Sequence, residues 1–463
     1  MWGIRLDRDG DMPMKRQLFA ALRERIWSGA LAAGEELPST RRLAEALGVS
    51  RNTVNEAFEM LLAEGYAVSR QGAPTRIADG VRLDPRSASA PRPPAPPPAR
   101  LLADFRTGQP DLRTFPRYLW QQLAAKAMRD MPEPWLGYTG PQGLPRLREE
   151  IAAWLLRSKG LQADPSDLFI TAGATHALHL AADLLYEPGL DLITEDPCHA
   201  EMIRVFLEKG YAAKRIPVDE HGMVTSRLGG RPGSPIYVTP SHQFPLGGIL
   251  PAARRAELLR FARESGSYIL EDDYDSEFRY YGDPATPLAA MDAERVVYIG
   301  TFSKALFPAL RIGYAIVPRA LQSRWTYARL HVDVQNPAFD QAVLAEFLAA
   351  RKLDRHVARM RRLYRERRQA LLDALSEQFG DRWRCWGDAA GLHLAVEFPG
   401  RRFGETFREL ALLRGIRIVP LEQHCLQKGR HESKLLFGYG HLEPEEITAG
   451  MRALKALLDE AGS

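Results

Sequence analysis

Residues 299–314 read IGTFSKALFPALRIGY and join an apolar run to a polar loop. The apolar run, residues 296–299, has no polar alternation, which predicts a strand covered on both faces. Small and hydroxylated residues follow it, then Lys304 and, seven residues later, Arg311. A lysine in such a loop can form a Schiff base with an aldehyde, and hydroxyl groups near an arginine suit a phosphate. The stretch therefore predicts a site for a ligand that carries both groups.

Two segments upstream place further polar residues at strand ends. Residues 271–274, EDDY, follow the apolar run 268–270, at the carboxyl end of a buried strand, where ligands bind in α/β proteins. Residues 172–175, AGAT, join a strand to a helix whose N-terminal amides and dipole favour phosphate. Pyridoxal phosphate has an aldehyde, a phosphate and a ring nitrogen that an aspartate can keep protonated. Each signal alone is weak, because a single lysine is usually a solvated surface residue, but the three in this order favour a pyridoxal phosphate site.

Strands alternate with helices around these segments, which predicts an α/β domain with a mostly parallel sheet and helices on each face. We expect strands at 168–171, 191–194, 235–238, 268–270 and 296–299, and helices at 175–186, 200–209 and 252–264. The last part, from about 335 to 463, combines helical runs at 351–375 and 444–458 with a strand-like run at 392–398. It predicts a smaller α+β subdomain within a large domain that covers residues 104–463.

The first 79 residues have a different pattern. Apolar residues recur three times at helical spacing, and Ser50 is placed to cap a third helix from Arg51 to about Glu64. Two short strand-like runs follow around a glycine-containing turn, so residues 1–79 predict a winged helix-turn-helix domain. Residues 80–103 include the proline-rich run SASAPRPPAPPPAR, which predicts a semi-rigid linker that could extend on the order of 70 Å.

In a helix-turn-helix domain the second helix of the motif enters the major groove of double-stranded DNA, and its first residues reach the base edges. We expect Arg51 to contact guanine and Asn52 to contact adenine. Further DNA contacts are predicted at Ser39, Thr40, Arg41, Ser50 and Thr53. Residues 1–80 contain eleven basic and eleven acidic residues, so charge adds no support. On these residues alone, a purely structural role in a small helical domain stays open.

Composition excludes several classes of protein. The chain has 463 residues, 45% of them hydrophobic, and a formal net charge of +4, which is typical of a globular protein with more than one domain. No stretch reaches the roughly 18 apolar residues that span a bilayer, and the start lacks a secretory signal pattern. Three scattered cysteines without a CxxC pair predict neither a disulfide framework nor a metal site. We therefore expect a reduced, cytoplasmic protein.

Several segments carry a resemblance to known families. Residues 29–44, GALAAGEELPSTRRLA, and 47–54, LGVSRNTV, resemble the GntR family of winged-helix regulators, over most of residues 12–78. Pro74 departs from that pattern, since a second wing glycine is usual there. The rest of the chain, roughly residues 103–460, resembles the fold-type I aminotransferases. Within them it is similar to the MocR/GabR-type regulators, by the segments 195–197 (EDP), 239–245 (TPSHQFP) and 271–278 (EDDYDSEF).

The resemblance implies roles in binding pyridoxal 5'-phosphate. Lys304 would form the Schiff base, Asp272 would contact the pyridine nitrogen, and Tyr274 would donate to the phenolic oxygen. The phosphate would be held by Ala174, Thr175, Thr301, Ser303 and Arg311. Tyr138 matches a tyrosine that reaches the phosphate from a second subunit, which implies a homodimer.

Two positions depart from the aminotransferase pattern. Cys198 and His199 stand where a Gly-Tyr pair is usual, so His199 would stack on the cofactor with less buried area. Leu436 stands where an arginine forks onto the substrate carboxylate, although a shift of register would bring Lys434 there instead. Loss of that guanidinium argues against ordinary α-amino acid transamination, in which Lys304 would also be catalytic.

The sequence therefore predicts a pyridoxal phosphate-dependent, DNA-binding transcriptional regulator. Its small-molecule effector would be an amine or amino-acid-like compound, or pyridoxal phosphate itself. Two alternatives stay open. One is an active aminotransferase with an appended DNA-binding domain, which Lys304 and Asp272 permit. The other is a DNA-binding repressor whose body is a dimerisation scaffold without a cofactor.

Overall fold

The computed structural model describes residues 2–70, 73–80, 101–282 and 285–460. The chain divides into two compact units, Met1–Pro97 and Pro98–Ser463. Most of the linker predicted for residues 80–103 lies outside the described residues, as do Gln71 and Gly72 of the predicted wing. Among the helices in the described ranges, none combines the length and apolar character needed to cross a membrane.

The first unit is a three-helix domain with a short antiparallel hairpin. Its elements are α1 (Met14–Trp27), α2 (Thr40–Leu47), α3 (Arg51–Ala63), β1 (Ala67–Val68) and β2 (Arg76–Ile77). Apolar side chains at helical spacing, including Leu18, Leu22 and Val54, form its buried core. Gly48 ends α2 with a φ of 65°, a left-handed conformation that glycine adopts at little cost, so the chain can turn sharply before α3. The predicted winged helix-turn-helix order is confirmed.

The second unit contains a large sheet, a smaller sheet and the helices around them. Its strands are β3 (Ala103–Asp104), β4 (Leu168–Thr171), β5 (Asp191–Asp196), β6 (Ala212–Asp219), β7 (Gly222–Met223), β8 (Ile236–Val238), β9 (Ile269–Asp273), β10 (Val296–Thr301), β11 (Gly313–Ile316), β12 (Arg384–Trp386), β13 (His393–Glu397), β14 (Ile416–Arg417), β15 (Val419–Pro420) and β16 (Lys434–Gly438). Its helices are α4 (Arg117–Asp130), α5 (Pro145–Lys159), α6 (Ala174–Leu184), α7 (Ala200–Leu207), α8 (Ala252–Ser265), α9 (Arg319–Val332), α10 (Ala338–Ala349), α11 (Lys352–Phe379), α12 (Glu405–Leu413) and α13 (Pro444–Glu460).

In the large sheet the described strands are ordered β4-β11-β10-β9-β8-β5-β6-β7. The neighbours from β10 to β6 are parallel, and every residue of β8, β9 and β10 is buried, which explains the lack of polar alternation. The predicted, mostly parallel sheet is therefore confirmed. The sequence pattern did not predict β11, which pairs antiparallel with both β4 and β10. A short loop suffices to join antiparallel neighbours, so Lys304 and Arg311 stay at one edge of the sheet.

The sequence pattern also did not predict five helices: α4, α5, α9, α10 and α12. The reason is clearest for α10, in which residues 341–345 are all buried. A helix that is buried nearly all round has no polar face, and the alternation of polar and apolar faces is the signal that identifies a helix in sequence.

The smaller sheet has the antiparallel order β12-β13-β16-β15. The start of the second unit joins this part of the chain, because β3 pairs in parallel with β14. The backbone then crosses β16, where a Cβ on Gly438 would lie 2.0 Å from the Arg106 carbonyl oxygen. Glycine is therefore required at position 438 for this crossing, which leads the chain on to Thr107 and Gly108.

Candidate functional site

A cavity of about 220 Å³ lies at the carboxyl ends of β4, β9 and β10. Ligands bind at this edge of α/β sheets because the loops there bring together residues that are far apart in sequence. Nine of the ten residues predicted to bind the cofactor line the cavity: Ala174, Thr175, His199, Asp272, Tyr274, Thr301, Ser303, Lys304 and Arg311. The tenth, Tyr138, does not line it within this chain, and its side chain is 89% exposed.

Lys304 lies in the loop after β10 with its amino group in the cavity. Its Nζ donates to the Gly108 carbonyl oxygen at 2.5 Å. Burial lowers the pKa of Lys304, although Asp275 and Asp272 act in the opposite direction. A lowered pKa increases the fraction of neutral amine, which is the form that attacks an aldehyde. A Cβ on Gly108 would lie 2.6 Å from the Lys304 Nζ, so only glycine leaves room for this amino group.

Asp272, near the end of β9, is only 6% exposed and has one oxygen to spare. Its Oδ2 accepts a hydrogen bond from the Tyr237 hydroxyl at 2.8 Å, whereas its Oδ1 has no partner among the described residues. Burial raises the pKa of Asp272 to about 6, against the hydrogen bond from Tyr237. A buried carboxylate oxygen without a donor is costly, so this atom suits a protonated ring nitrogen.

Another part of the cavity lining collects groups that bind anions. The amides at the start of α6, the hydroxyls of Thr301 and Ser303, and the guanidinium of Arg311 all border it. The Thr301 and Ser303 hydroxyl oxygens are 3.0 Å apart. A Cβ on Gly173, whose φ is 91°, would lie 2.9 Å from the Arg311 guanidinium, so glycine lets that side chain cross the helix start. Helix amides with a guanidinium and hydroxyls form a suitable phosphate site.

A further part of the lining, here called the aromatic wall, consists of His199, Phe244 and His393 and is uncharged. The His199 ring lies 4.9 Å from the Phe244 ring at 32°, and the His393 ring lies 5.1 Å from Phe244. Burial lowers the pKa of His199 to about 4 and that of His393 to about 3. Both imidazoles are therefore neutral at neutral pH, and this wall adds no positive charge to the cavity.

Neither residue considered for the carboxylate-binding position offers a cation to the cavity. Leu436 is buried in an apolar cluster with Phe244 and Leu421. Lys434 lies 3.6 Å from Glu397 and over the ring of Trp386, and it does not line the cavity. Among the described residues that line the cavity, the lysines and arginines are Lys304 and Arg311 alone.

Sequence reasoning missed several residues that line the cavity. Tyr237 and Thr239 could have been found, because the predicted strand at 235–238 ends at the same edge as β9. Thr107 and Gly108 gave no local signal, since only the pairing of β3 with β14 and the crossing at Gly438 bring them there.

The residues predicted to contact DNA lie at the starts of α2 and α3. Ser39 and Ser50 cap these helices by accepting a hydrogen bond from the backbone amide of the third helix residue, at 3.3 and 3.1 Å. The Arg51 Nε donates to the Thr40 hydroxyl at 3.3 Å, which joins the two helix starts. The side chain of Thr53 bonds Ser50, and Arg41 pairs with Glu45. Arg51 and Asn52 are exposed, so both can reach an external partner.

Comparisons with known proteins agree with this two-part organisation. Residues 104–433 match the family described as aminotransferase class I and II, and residues 14–77 match the bacterial regulatory proteins of the gntR family. The chain is 34% identical to the probable rhizopine catabolism regulatory protein MocR of Rhizobium meliloti, over 97% of this chain and 95% of that protein. It is 36% identical to the HTH-type pyridoxine biosynthesis transcriptional regulator PdxR of Corynebacterium glutamicum, over 93% of each.

A solved structure resembles the second unit. It is the α-aminoadipate aminotransferase of Thermus thermophilus in complex with N-(5'-phosphopyridoxyl)-L-leucine, with a TM-score of 0.70 and 28% identity. The match covers 78% of this chain and 92% of that one.

Proposed function

We propose a function for this chain from the premise that it belongs to the MocR-type transcriptional regulators, which join a gntR-family domain to an aminotransferase class I and II domain. It binds pyridoxal 5'-phosphate covalently through Lys304, and its affinity for operator DNA changes when a small amine or free cofactor reaches that site. The observation that carries the proposal is that one cavity is lined by Lys304, by Asp272, whose Oδ1 has no partner among the described residues, and by the start of α6.

Each residue of the cavity has a separate task in holding the cofactor, which supplies an aldehyde and an electron-withdrawing ring. Lys304 provides the amine, and Asp272 accepts from the ring nitrogen. The start of α6, Thr301, Ser303 and Arg311 hold the phosphate, and His199 covers one face of the ring. Tyr274 donates to the phenolic oxygen. The solved aminotransferase that resembles this unit carries a phosphopyridoxyl compound, which supports the assignment.

The complete site is proposed to need a second copy of the chain. Tyr138 is exposed, and the neighbouring Thr139 amide donates to the Gln335 side chain at 2.5 Å, which anchors the segment. Other large apolar side chains, Leu136 and Tyr327, are also exposed, and a surface of this kind suits a protein interface. A homodimer would cover these side chains and bring Tyr138 to the phosphate of the partner subunit.

We propose that the effector does not depend on a carboxylate that pairs with an arginine. Once Lys304 holds the aldehyde and Arg311 the phosphate, the described lining has no further lysine or arginine. An amine without such a carboxylate, or pyridoxal phosphate itself, fits this lining. One similar regulator controls pyridoxine biosynthesis, which supports the second possibility.

Activity as an aminotransferase is the second candidate, because Lys304 and Asp272 are both in place and the resemblance to the solved aminotransferase covers 78% of this chain. Conversion of a bound amino acid on every cycle separates this candidate from a sensor. The same preparation can be tested for both, since turnover consumes the amino acid and sensing does not.

The test is absorbance on titration with pyridoxal phosphate, in the wild-type chain and in Lys304→Ala. We expect a visible band in the wild type that is absent in Lys304→Ala, because no other lysine lines the described cavity. Lys214→Ala is the matched control, since Lys214 is exposed on β6, and it should keep the band. Operator binding is measured in parallel by fluorescence anisotropy with and without cofactor. A wild-type chain without a band, binding DNA equally in both conditions, would favour the scaffold alternative.

A further inference from the structure

Tyr274, His242 and Asp275 form a hydrogen-bonded cluster beside the cavity. The Tyr274 hydroxyl oxygen is 3.0 Å from the His242 Nδ1 and 3.0 Å from the His242 carbonyl oxygen. The same Nδ1 lies 2.8 Å from the Asp275 Oδ1. His242 and Asp275 are each only 2% exposed. Tyr274 and Asp275 are both among the residues that line the cavity. The cluster therefore links a buried imidazole to a hydroxyl group that faces the ligand.

The donors in this cluster follow from the chemistry of each group. An ionised carboxylate only accepts hydrogen bonds, so the Nδ1 of His242 carries a proton towards Asp275. That nitrogen then cannot accept from Tyr274. The Tyr274 oxygen consequently accepts from the Nδ1 N–H, and its single proton either donates to the His242 carbonyl oxygen or turns to the phenolic oxygen of a bound cofactor. One histidine thus contacts the tyrosine oxygen through its side chain and through its backbone.

Close packing fixes the orientation of the imidazole. Gly391 has a φ of 82°, and a Cβ there would lie 2.1 Å from the His242 Cε1 and 2.6 Å from the Asp275 Oδ2. The Gly391 carbonyl oxygen is itself held by two donors, the hydroxyls of Tyr280 at 2.6 Å and Tyr439 at 2.8 Å. The backbone at Gly391 therefore packs closely against the side chains of His242 and Asp275, and the imidazole has little room to rotate.

We propose that His242 and Asp275 are positioning residues that act through Tyr274, holding its oxygen where its single proton can turn from the His242 carbonyl oxygen to the phenolic oxygen of the cofactor. The inference rests on the proposed function, because it concerns a bound cofactor. Neither residue needs to touch the cofactor for this role. If they act in this way, substituting them changes the spectrum of the bound cofactor, and this change disappears when the Tyr274 hydroxyl is removed.

The readout is the pH midpoint of the visible band of the bound cofactor. The charged groups that act on Tyr274 or on Lys304 are Asp272, Asp273, Asp275, Glu195 and Arg311, and the titratable ring of His393 lies 5.1 Å from that of His242. Loss of the hydroxyl donor leaves more negative charge on the phenolic oxygen, which favours a proton on the nearby Lys304 nitrogen. Tyr274→Phe should therefore raise the midpoint, by about 1 pH unit.

Two substitutions of His242 test whether the N–H at the Nδ1 position is required, or whether loss of the imidazole ring alone produces the effect. His242→Asn keeps an N–H near the position of Nδ1, whereas His242→Gln keeps one near Nε2, an atom that has no partner among the described residues. We expect His242→Gln to raise the midpoint as Tyr274→Phe does, and His242→Asn to stay within about a third of that shift. His431→Gln is the control, because His431 does not line the cavity, and it should leave the midpoint unchanged.

A double-mutant cycle decides the inference. In the Tyr274→Phe background, His242→Gln should add no further shift, because the group through which it acts is gone. An equal shift in both backgrounds, or no shift in the wild-type background, overturns the inference. If His242→Gln does not fold, His242→Phe replaces it, and an effect that is equal in both backgrounds again overturns the inference. A wild-type chain without any visible band contradicts the proposed function instead, so the two failures are distinguishable.

Discussion

The start of α3 and the cavity of the second unit place their functional residues in opposite environments. Arg51 and Asn52 are exposed, and the hydrogen bond from Arg51 to Thr40 is long. Asp272 is buried, with a raised pKa and an unpaired oxygen. Exposed residues can be replaced with little effect on folding, whereas a buried ionisable group affects stability and pH dependence. We therefore expect substitutions at the two places to be separable.

The same contrast holds between the two sides of the cavity. The strand-end side presents Asp272, Lys304 and Arg311, which are charged groups with specific tasks. The aromatic wall presents His199 and His393, whose lowered pKa values keep them neutral. The described lining thus has groups suited to a cofactor, and besides Lys304 and Arg311 it has no lysine or arginine for a substrate carboxylate.

The largest effect is expected at the recognition helix. Arg51→Ala and Asn52→Ala should each cost about 1–3 kcal/mol in operator binding, because each removes one bidentate base contact. The visible band of the bound cofactor should not change, since neither residue lines the cavity. Anisotropy on operator and on unrelated DNA of the same length measures the loss.

Arg41→Ala provides the matched control for this experiment. Arg41 is exposed at the start of α2, where a phosphate contact is expected, so its loss should weaken binding to both DNAs equally and reduce the salt dependence. Unchanged operator affinity in both Arg51→Ala and Asn52→Ala would show that α3 is not the recognition helix.

A smaller effect is expected on stability, from Asp272. Its pKa is about 6 in the folded protein instead of the usual 3.8, because burial disfavours the charged form. The folded state therefore binds this proton more tightly than the unfolded chain, and the resulting stability is lost as the pH rises through about 6. Between about pH 5 and about pH 8 the loss is about 1.4 kcal/mol in the free energy of unfolding.

Urea unfolding of the cofactor-free chain at the two pH values measures this loss. Asp272→Asn should remove about 1.4 kcal/mol of the pH dependence. Part of the dependence should survive, because burial also raises the pKa values of Glu195 and Glu271, each to about 7. An identical pH dependence in the wild type and in Asp272→Asn would contradict the raised pKa of this residue.

The sequence predicts the strand-end side of the cavity well, for a physical reason. Parallel strands end at one edge, so motifs such as EDDY at 271–274 and the loop with Lys304 must meet once their strands are identified. The same reasoning works for the caps Ser39 and Ser50, because capping is local in sequence.

His393 and the His242–Asp275 pair could not be predicted in the same way. His393 lies on β13, which pairs with β16. Only this pairing brings His393 to the cavity, beside the loop that contains Phe244. In the strand-like run at 392–398, His393 and Glu397 share one face, but nothing local indicates that this face is turned to the cavity. The His242–Asp275 pair also depends on Gly391, which is more than a hundred residues away in sequence.

The smallest effect is expected for common amino acids. Fast removal of the α-proton needs a substrate that is held by its carboxylate, so that the proton lies over Lys304. Leu436 packs in an apolar cluster, and Lys434 pairs with Glu397, so neither holds the carboxylate. Alanine, aspartate and glutamate should therefore convert negligible amounts of the cofactor to its amine form, as followed by the loss of the visible band. Steady conversion at ordinary enzyme rates would instead establish the chain as an aminotransferase, with the carboxylate bound by a group supplied from elsewhere.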